Sequence, residues 1–233
     1  RAGNEFERAA AAVRWRQVAT VRHDGAPTCG AGTMTHDHDH DGHDHDHHDH
    51  HEHVPVEYRD AVEGFREDKD EFFKTHPQSP IPVAERAAFE GLPYYDVDES
   101  LGFEGLALEP YTGDEPSHFQ IPTSDGQLRP AHRAGILRFD IDGRPLQLTA
   151  YTFDGGDGHS LFVPFLDVTS GTETYGAGRY LDLEPEEDGT YTLDFNLAYH
   201  PSCVYDPRYS CPLTPGENRL PIRIEAGERL APA

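Results

Sequence analysis

Ten histidines fall within eighteen residues: His36, His38, His40, His43, His45, His47, His48, His50, His51 and His53, interleaved with Asp37, Asp39, Asp41, Asp44, Asp46, Asp49 and Glu52. Neutral imidazoles suit Zn, Ni, Co and Cu ions, and the neighbouring carboxylates add oxygen ligands and attract the cation. With almost nothing but His, Asp and Glu to offer, residues 35–53 are expected to be disordered without metal and to wrap an ion in many geometries. Such a chelator should be weakly selective and pH-dependent, because each imidazole binds only when neutral. The same composition also reads as a hydrated acidic tail, or as a histidine-rich spacer that binds metal only in vitro.

A second group of chemically capable residues runs from Phe162-Val163-Pro164-Phe165 through Asp167, Thr169, Ser170 and Gly171 to Thr174-Tyr175-Gly176-Ala177-Gly178-Arg179-Tyr180. Arg179 alternates with Leu181 and Leu183, so a strand there turns its guanidinium to the apolar side, where a charge survives only if paired. Asp167 is the natural partner. The pair could clamp a carboxylate or phosphate, since the guanidinium presents a planar fork of donors. It could equally be a buried structural pair holding the glycine-rich loop. The ligand set on the first reading is Asp167, Thr174, Tyr175, Gly176, Gly178, Arg179 and Asn196. Gly171, Gly176 and Gly178 could expose backbone N–H groups as an anion nest or simply permit a turn. No helix is predicted after them, which excludes a P-loop.

The third group is Asp194-Phe195-Asn196, His200-Pro201, Cys203, Tyr205, Cys211-Pro212 and Glu217-Asn218. His200, Cys203 and Cys211 offer three zinc ligands and lack a fourth. A Cys-His nucleophile, a redox-sensitive cysteine pair and two plainly buried cysteines are the alternatives. Asp194 and Asn196 alternate with Leu193 and Phe195, so they either meet solvent or line a cavity. A hydrolase would draw on Asp167, Tyr175, Arg179, Asp194 and His200, with a carboxylate or imidazole as general base and Arg179 stabilising negative charge.

These last two groups resemble the core motifs of the family known as domain of unknown function 1684, in which PF-x-D-x-T-x-G-x-x-TYG-x-GRYL is followed by DFN-x-AYNP-x-C-x-Y and CP-x-x-P-x-EN. The resemblance spans roughly residues 60–228 and implies no activity. His200 stands where that pattern usually shows Asn, which argues against a family-wide metal-ligand role for it. The histidine tract lies outside the family core.

Elements must position these groups. Val56 to His76 predicts an amphipathic helix through Tyr58, Val62, Phe65, Phe72 and Phe73, and a shorter helix is expected around Val83 to Phe89. Ile136 to Ile141 and Leu146 to Phe153 predict a hairpin about Asp142-Gly143. Arg179 to Leu183 and Tyr191 to Tyr199 predict a second, about Asp188-Gly189. Leu161 to Leu166 reads as a central strand despite Pro164. Tyr94 to Val97, Gly105 to Glu109 and Leu220 to Ile224 complete seven or eight strands. The fold class is mainly β (α+β), an antiparallel barrel or sandwich with one or two N-terminal helices packed against it.

Residues 1–33 are less acidic than the rest and are followed by Met34, the only methionine, which suggests an upstream extension; 34–55 form the tract, and 56–230 a single β-rich domain. A net charge of -24, with 43 acidic against 19 basic residues, disfavours nucleic acid and anionic membrane surfaces as partners. Metal ions or a small molecule are expected instead. Lys69 and Lys74 are the only lysines, and the balance resembles that of proteins of salt-loving archaea, whose self-repulsion is screened in molar salt. No apolar run suits a membrane helix and no secretory leader is visible, so the chain reads as cytoplasmic.

Overall fold

A computed structural model of the chain describes residues 56–154 and 160–231. Residues 1–55, and with them the histidine tract and Cys29, lie outside the described residues. Helix α1 (Val56–Thr75) is followed by seven strands: β1 (Gly102–Leu106), β2 (His118–Pro122), β3 (Leu128–Ile141), β4 (Arg144–Phe153), β5 (Leu161–Phe165), β6 (Arg179–Leu183) and β7 (Tyr191–Asp194). All pairings between these strands are antiparallel, in a five-stranded sheet of order β2-β3-β4-β5-β6 and a two-stranded sheet β1-β7. The fold is mainly β and sandwich-like, and these strands do not close a barrel.

The main core lies between the sheets, where Phe103, Tyr191 and Leu193 meet Leu137, Phe139, Leu148, Val163 and Leu181. Burying these apolar groups is the principal driving force holding the layers together. A second, aromatic cluster covers the other face of the large sheet, with Phe119, Tyr151, Phe153, Phe162 and Tyr180 around Ile121. Strand β5 sends Leu161, Val163 and Phe165 into the first cluster and Phe162 into the second, and all five of its residues are buried. Helix α1 docks through Tyr58 and Val62 onto Val97, and through Phe73 onto Ile81 and Leu92.

The first hairpin forms as expected. Asp142 (φ 54°) and Gly143 (φ 73°) both take the left-handed conformation of a type I′ turn, and the Asp140 carboxylate accepts the Gly143 N–H at 2.7 Å. The second does not form as one hairpin: β6 joins β5 in the large sheet and β7 joins β1 in the small one. Pro185 interrupts the ladder, and Asp194 ends β7 by accepting the Asn196 N–H at 2.9 Å to start a 3-10 turn at Phe195–Leu197. Only the isolated bridges Pro185↔Tyr191 and Tyr180↔Tyr199 remain between the two stretches.

Other boundaries also shift. The expected second helix shrinks to one 3-10 turn, Arg86–Ala88, with no buried residue and Val83 turned to solvent, because the segment offers no apolar stripe to pack. Residues 94–97 make one bridge, Tyr94↔Glu228, in place of a strand. Residues 220–224 run beside Leu166 and Val168 without becoming a regular strand, since Pro221 has no N–H to give. Strand β2 was not anticipated. Pro164 stays inside β5 opposite Tyr180, and its carbonyl accepts from Asn218 Nδ2 at 2.7 Å. Asn218 also exchanges two hydrogen bonds of 2.8 Å with the Thr149 backbone, so its side chain stitches β4 to β5 where their own ladder has a single registered pair, Tyr151↔Phe162. No helix among the described residues is long and apolar enough to cross a membrane.

Candidate functional site

The loop between β5 and β6 sets the first part of the site. Asp167 is almost fully buried, and its carboxylate accepts from Thr169 Oγ1 (2.8 and 2.9 Å), Ser170 Oγ (3.1 Å) and the Ile224 N–H (2.7 Å). Thr174 is buried with its hydroxyl 3.0 Å from that of Thr169. Arg179, 1% exposed, donates from one terminal nitrogen to the Ile224 carbonyl (2.7 Å) and from the other to those of Glu228 (3.1 Å) and Ala226. Asp167 Oδ2 is 3.7 Å away. Burial pushes the Arg179 pKa below its ordinary value, with Asp167 opposing the shift. The structure thus brings Asp167 and Arg179 together as foreseen, but aims the guanidinium at the backbone of residues 224–228. Of the loop glycines, Gly171 and Gly178 donate their N–H groups to Thr174 and Tyr175 carbonyls. Gly178 (φ 105°) must be glycine, because a Cβ there would sit 2.5 Å from the Phe165 carbonyl oxygen.

His200 lies on the far side of the same C-terminal segment. Its Nε2 accepts the Tyr175 N–H at 3.2 Å, and its Nδ1 is 3.7 Å from Glu228 Oε2. Burial lowers its pKa to about 4, so the ring is neutral at pH 7. Glu228 gathers a wider network: Oε2 accepts from the His200 N–H (2.7 Å) and Tyr205 Oη (3.0 Å), and Oε1 lies 2.8 Å from Lys69 Nζ. Burial works against ionisation of Glu228, yet Lys69 and His200 outweigh it and hold the carboxyl below its usual range. The Lys69 ammonium also sits over the Tyr199 ring, 4.5 Å from its centroid. Lys69 and Glu228 were missed as site residues by sequence reasoning, and Tyr205 was named there only within a motif. The one available signal was that Lys69 is one of only two lysines in a chain that otherwise uses arginine.

Asp194 and Asn196 do not meet solvent; both are at most 1% exposed. Asp194 Oδ2 accepts from Tyr58 Oη at 2.6 Å, and Asn196 Nδ2 donates to Tyr58 Oη (3.0 Å), Asp98 O (2.7 Å) and Asp194 Oδ1 (2.9 Å). This cluster fastens α1 to the sheets. The five residues that a hydrolase would draw on fall into three bonded groups among the described residues: Asp167 with Arg179, Tyr175 with His200, and Asp194 with Asn196.

Cys203 and Cys211 do come together. The Cys203 N–H points to Cys211 Sγ at 3.3 Å, the Cys203 sulfur is 4.0 Å from Tyr175 Oη, and Cys211 is strapped to Ser124 by two backbone-anchored bonds of 2.8 and 3.0 Å. Both are free thiols, Cys203 half-buried and Cys211 buried. Among the described residues no three His, Cys, Asp or Glu side chains gather to hold a metal, and His200 Nε2 accepts the Tyr175 N–H.

Comparison with known proteins places this geometry in context. The family model described as "Protein of unknown function (DUF1684)" matches residues 87–229. A solution NMR structure of an uncharacterized protein of Haloarcula marismortui is 39% identical, with a TM-score of 0.55, over 74% of this chain and 94% of that one. No curated protein matches the chain.

Proposed function

Given that the chain belongs to the DUF1684 family, whose matched region begins at residue 87, we propose that it binds divalent transition-metal ions through the histidines of residues 36–53, ahead of that region. The observation that carries this reading is the density of ligands: ten imidazoles in eighteen residues, each with a carboxylate near it in sequence. Zn, Ni, Co and Cu suit imidazole, and the surrounding negative charge raises the local cation concentration. The arrangement of the folded domain supports the same assignment. Its buried polar groups at Asp167, Arg179, Asp194, Asn196 and His200 are bonded to one another or to backbone. An anion at Arg179 would have to displace backbone carbonyls that already hold both terminal nitrogens.

Elemental analysis of untagged protein in high salt, with and without residues 35–53, tests the proposal. Several equivalents of bound metal should vanish with the tract, and binding should weaken between pH 7 and pH 5 as imidazoles protonate. Metal retained in full by the shortened chain overturns it.

A further inference from the structure

The cysteine pair is independent of the tract and has a different chemistry. Cys203 sits in the 3-10 turn Ser202–Val204, opened to solvent on one side. Cys211 is carried on the following segment, where the bridge Thr123↔Pro212 and the Ser124 contacts fix it against the end of β2. A sulfur 3.3 Å from the Cys203 amide nitrogen is within one side chain's reach of the Cys203 sulfur. Neighbouring groups favour the thiolate: hydrogen bonding from Cys211, and then from Ser124 and Tyr175, outweighs burial and brings Cys203 down to about 6. Among the described residues these two are the only cysteines, and one is reachable while the other waits behind it.

We propose that Cys203 and Cys211 form a peroxide-reactive dithiol, with Cys203 as the attacking thiolate and Cys211 as the resolving thiol. The Cys203 thiolate attacks one oxygen of a hydroperoxide; the O–O bond breaks, the sulfur is oxidised to a sulfenic acid, and the other oxygen leaves as hydroxide or alkoxide and takes a proton. Cys211 then loses its proton and attacks the oxidised sulfur. The S–O bond breaks, hydroxide leaves as water with that proton, and the Cys203–Cys211 disulfide forms. A thiol reductant restores the pair by exchange, ending as its own disulfide.

The assignment of roles follows from position. Cys203 is the half-exposed sulfur that a peroxide can reach, and Cys211 is the buried one, its sulfur 3.3 Å from the Cys203 amide nitrogen. Tyr175, through its hydroxyl near Cys203 and its N–H on His200, joins the dithiol to the Glu228 network. Oxidation therefore has a structural route to the interior.

The test uses the full chain carrying C29S, so that only these two thiols remain. Reduced protein is treated with one equivalent of hydrogen peroxide, alkylated, and analysed by mass spectrometry. The expected result is loss of both alkylatable thiols, a mass decrease of about 2 Da, and a peptide linking Cys203 to Cys211 within one chain. In C211S, dimedone should label Cys203, and C203S should react with peroxide at least about tenfold more slowly. Two thiols still alkylatable after peroxide, or a C203S chain that reacts as fast as its parent, overturns the proposal. The mapped bond in the parent chain decides the matter even if a serine variant fails to fold.

Discussion

Lys69 of α1 holds its ammonium 2.8 Å from Glu228 Oε1 near the C-terminus, and both side chains are largely closed off from solvent, at 12% and 2% exposure. The pair joins the helix to the segment whose carbonyls Arg179 captures, so a single buried charge couples three parts of the molecule. Removing one partner leaves the other uncompensated in a poorly solvated place. K69M should therefore lose about 3–5 kcal/mol in urea or guanidinium unfolding. K69M/E228Q should recover part of that loss. A K69M chain as stable as the parent would remove Glu228 from its place at the centre of the network.

Arg179 makes a related prediction of different kind. Its planar fork serves the carbonyls of Ile224, Ala226 and Glu228 at once, a geometry that a lysine ammonium cannot reproduce. R179K should cost about 2–4 kcal/mol and raise hydrogen exchange selectively across residues 224–230. Unchanged exchange in that segment would mean that the guanidinium is not what fastens it.

Local patterns carried much of this fold. The spacing of Tyr58, Val62 and Phe73 marked α1, and Asp142-Gly143 marked the hairpin, because both signals lie within a few residues of one another. The inward turn of Arg179 was equally readable from its alternation with Leu181 and Leu183. What it met there was not, since its partners are backbone carbonyls more than forty residues away. Tyr58 and Asp194 show the same limit: they are separated by 136 residues, and nothing local announces their bond. A period of two likewise says that residues 191–194 form a strand but not which sheet it joins, which is why β6 and β7 were paired with each other in error. The histidine tract is the opposite case, legible as composition throughout.

His200 should make the protein acid-sensitive in a defined window. The folded chain protonates it near pH 4, while the unfolded chain does so near 6.5. Between those values the unfolded state binds more protons, so stability falls as pH drops from about 6.5 towards 4. At pH 5 this contribution amounts to about 2 kcal/mol lost relative to pH 7. Asparagine at position 200 cannot titrate. The H200N variant should lose about 2 kcal/mol less than the parent over the same interval, measured by urea unfolding at constant salt. Parallel pH profiles for the two chains would sink this account.

The net charge of -24 makes the last prediction, on salt. Carboxylates crowded on a compact surface repel one another more strongly than they do on an extended chain, and that difference is screened as the Debye length falls from about 10 Å at 0.1 M to about 3 Å at 1 M. The buried Lys69–Glu228 and Arg179–Asp167 contacts lie out of reach of mobile ions and lose little by the same change. Raising KCl from 0.1 to 2 M should therefore raise the melting temperature, and K69M should show the same upward shift from its lower starting point. Replacing a block of exposed acids, such as Glu104, Asp114 and Glu115, with glutamine or asparagine should flatten that salt dependence while leaving the molar-salt stability nearly unchanged. A melting temperature that falls as KCl rises would show that attractive surface pairs, such as Arg223 with Glu173 and Glu225, outweigh the excess of negative charge.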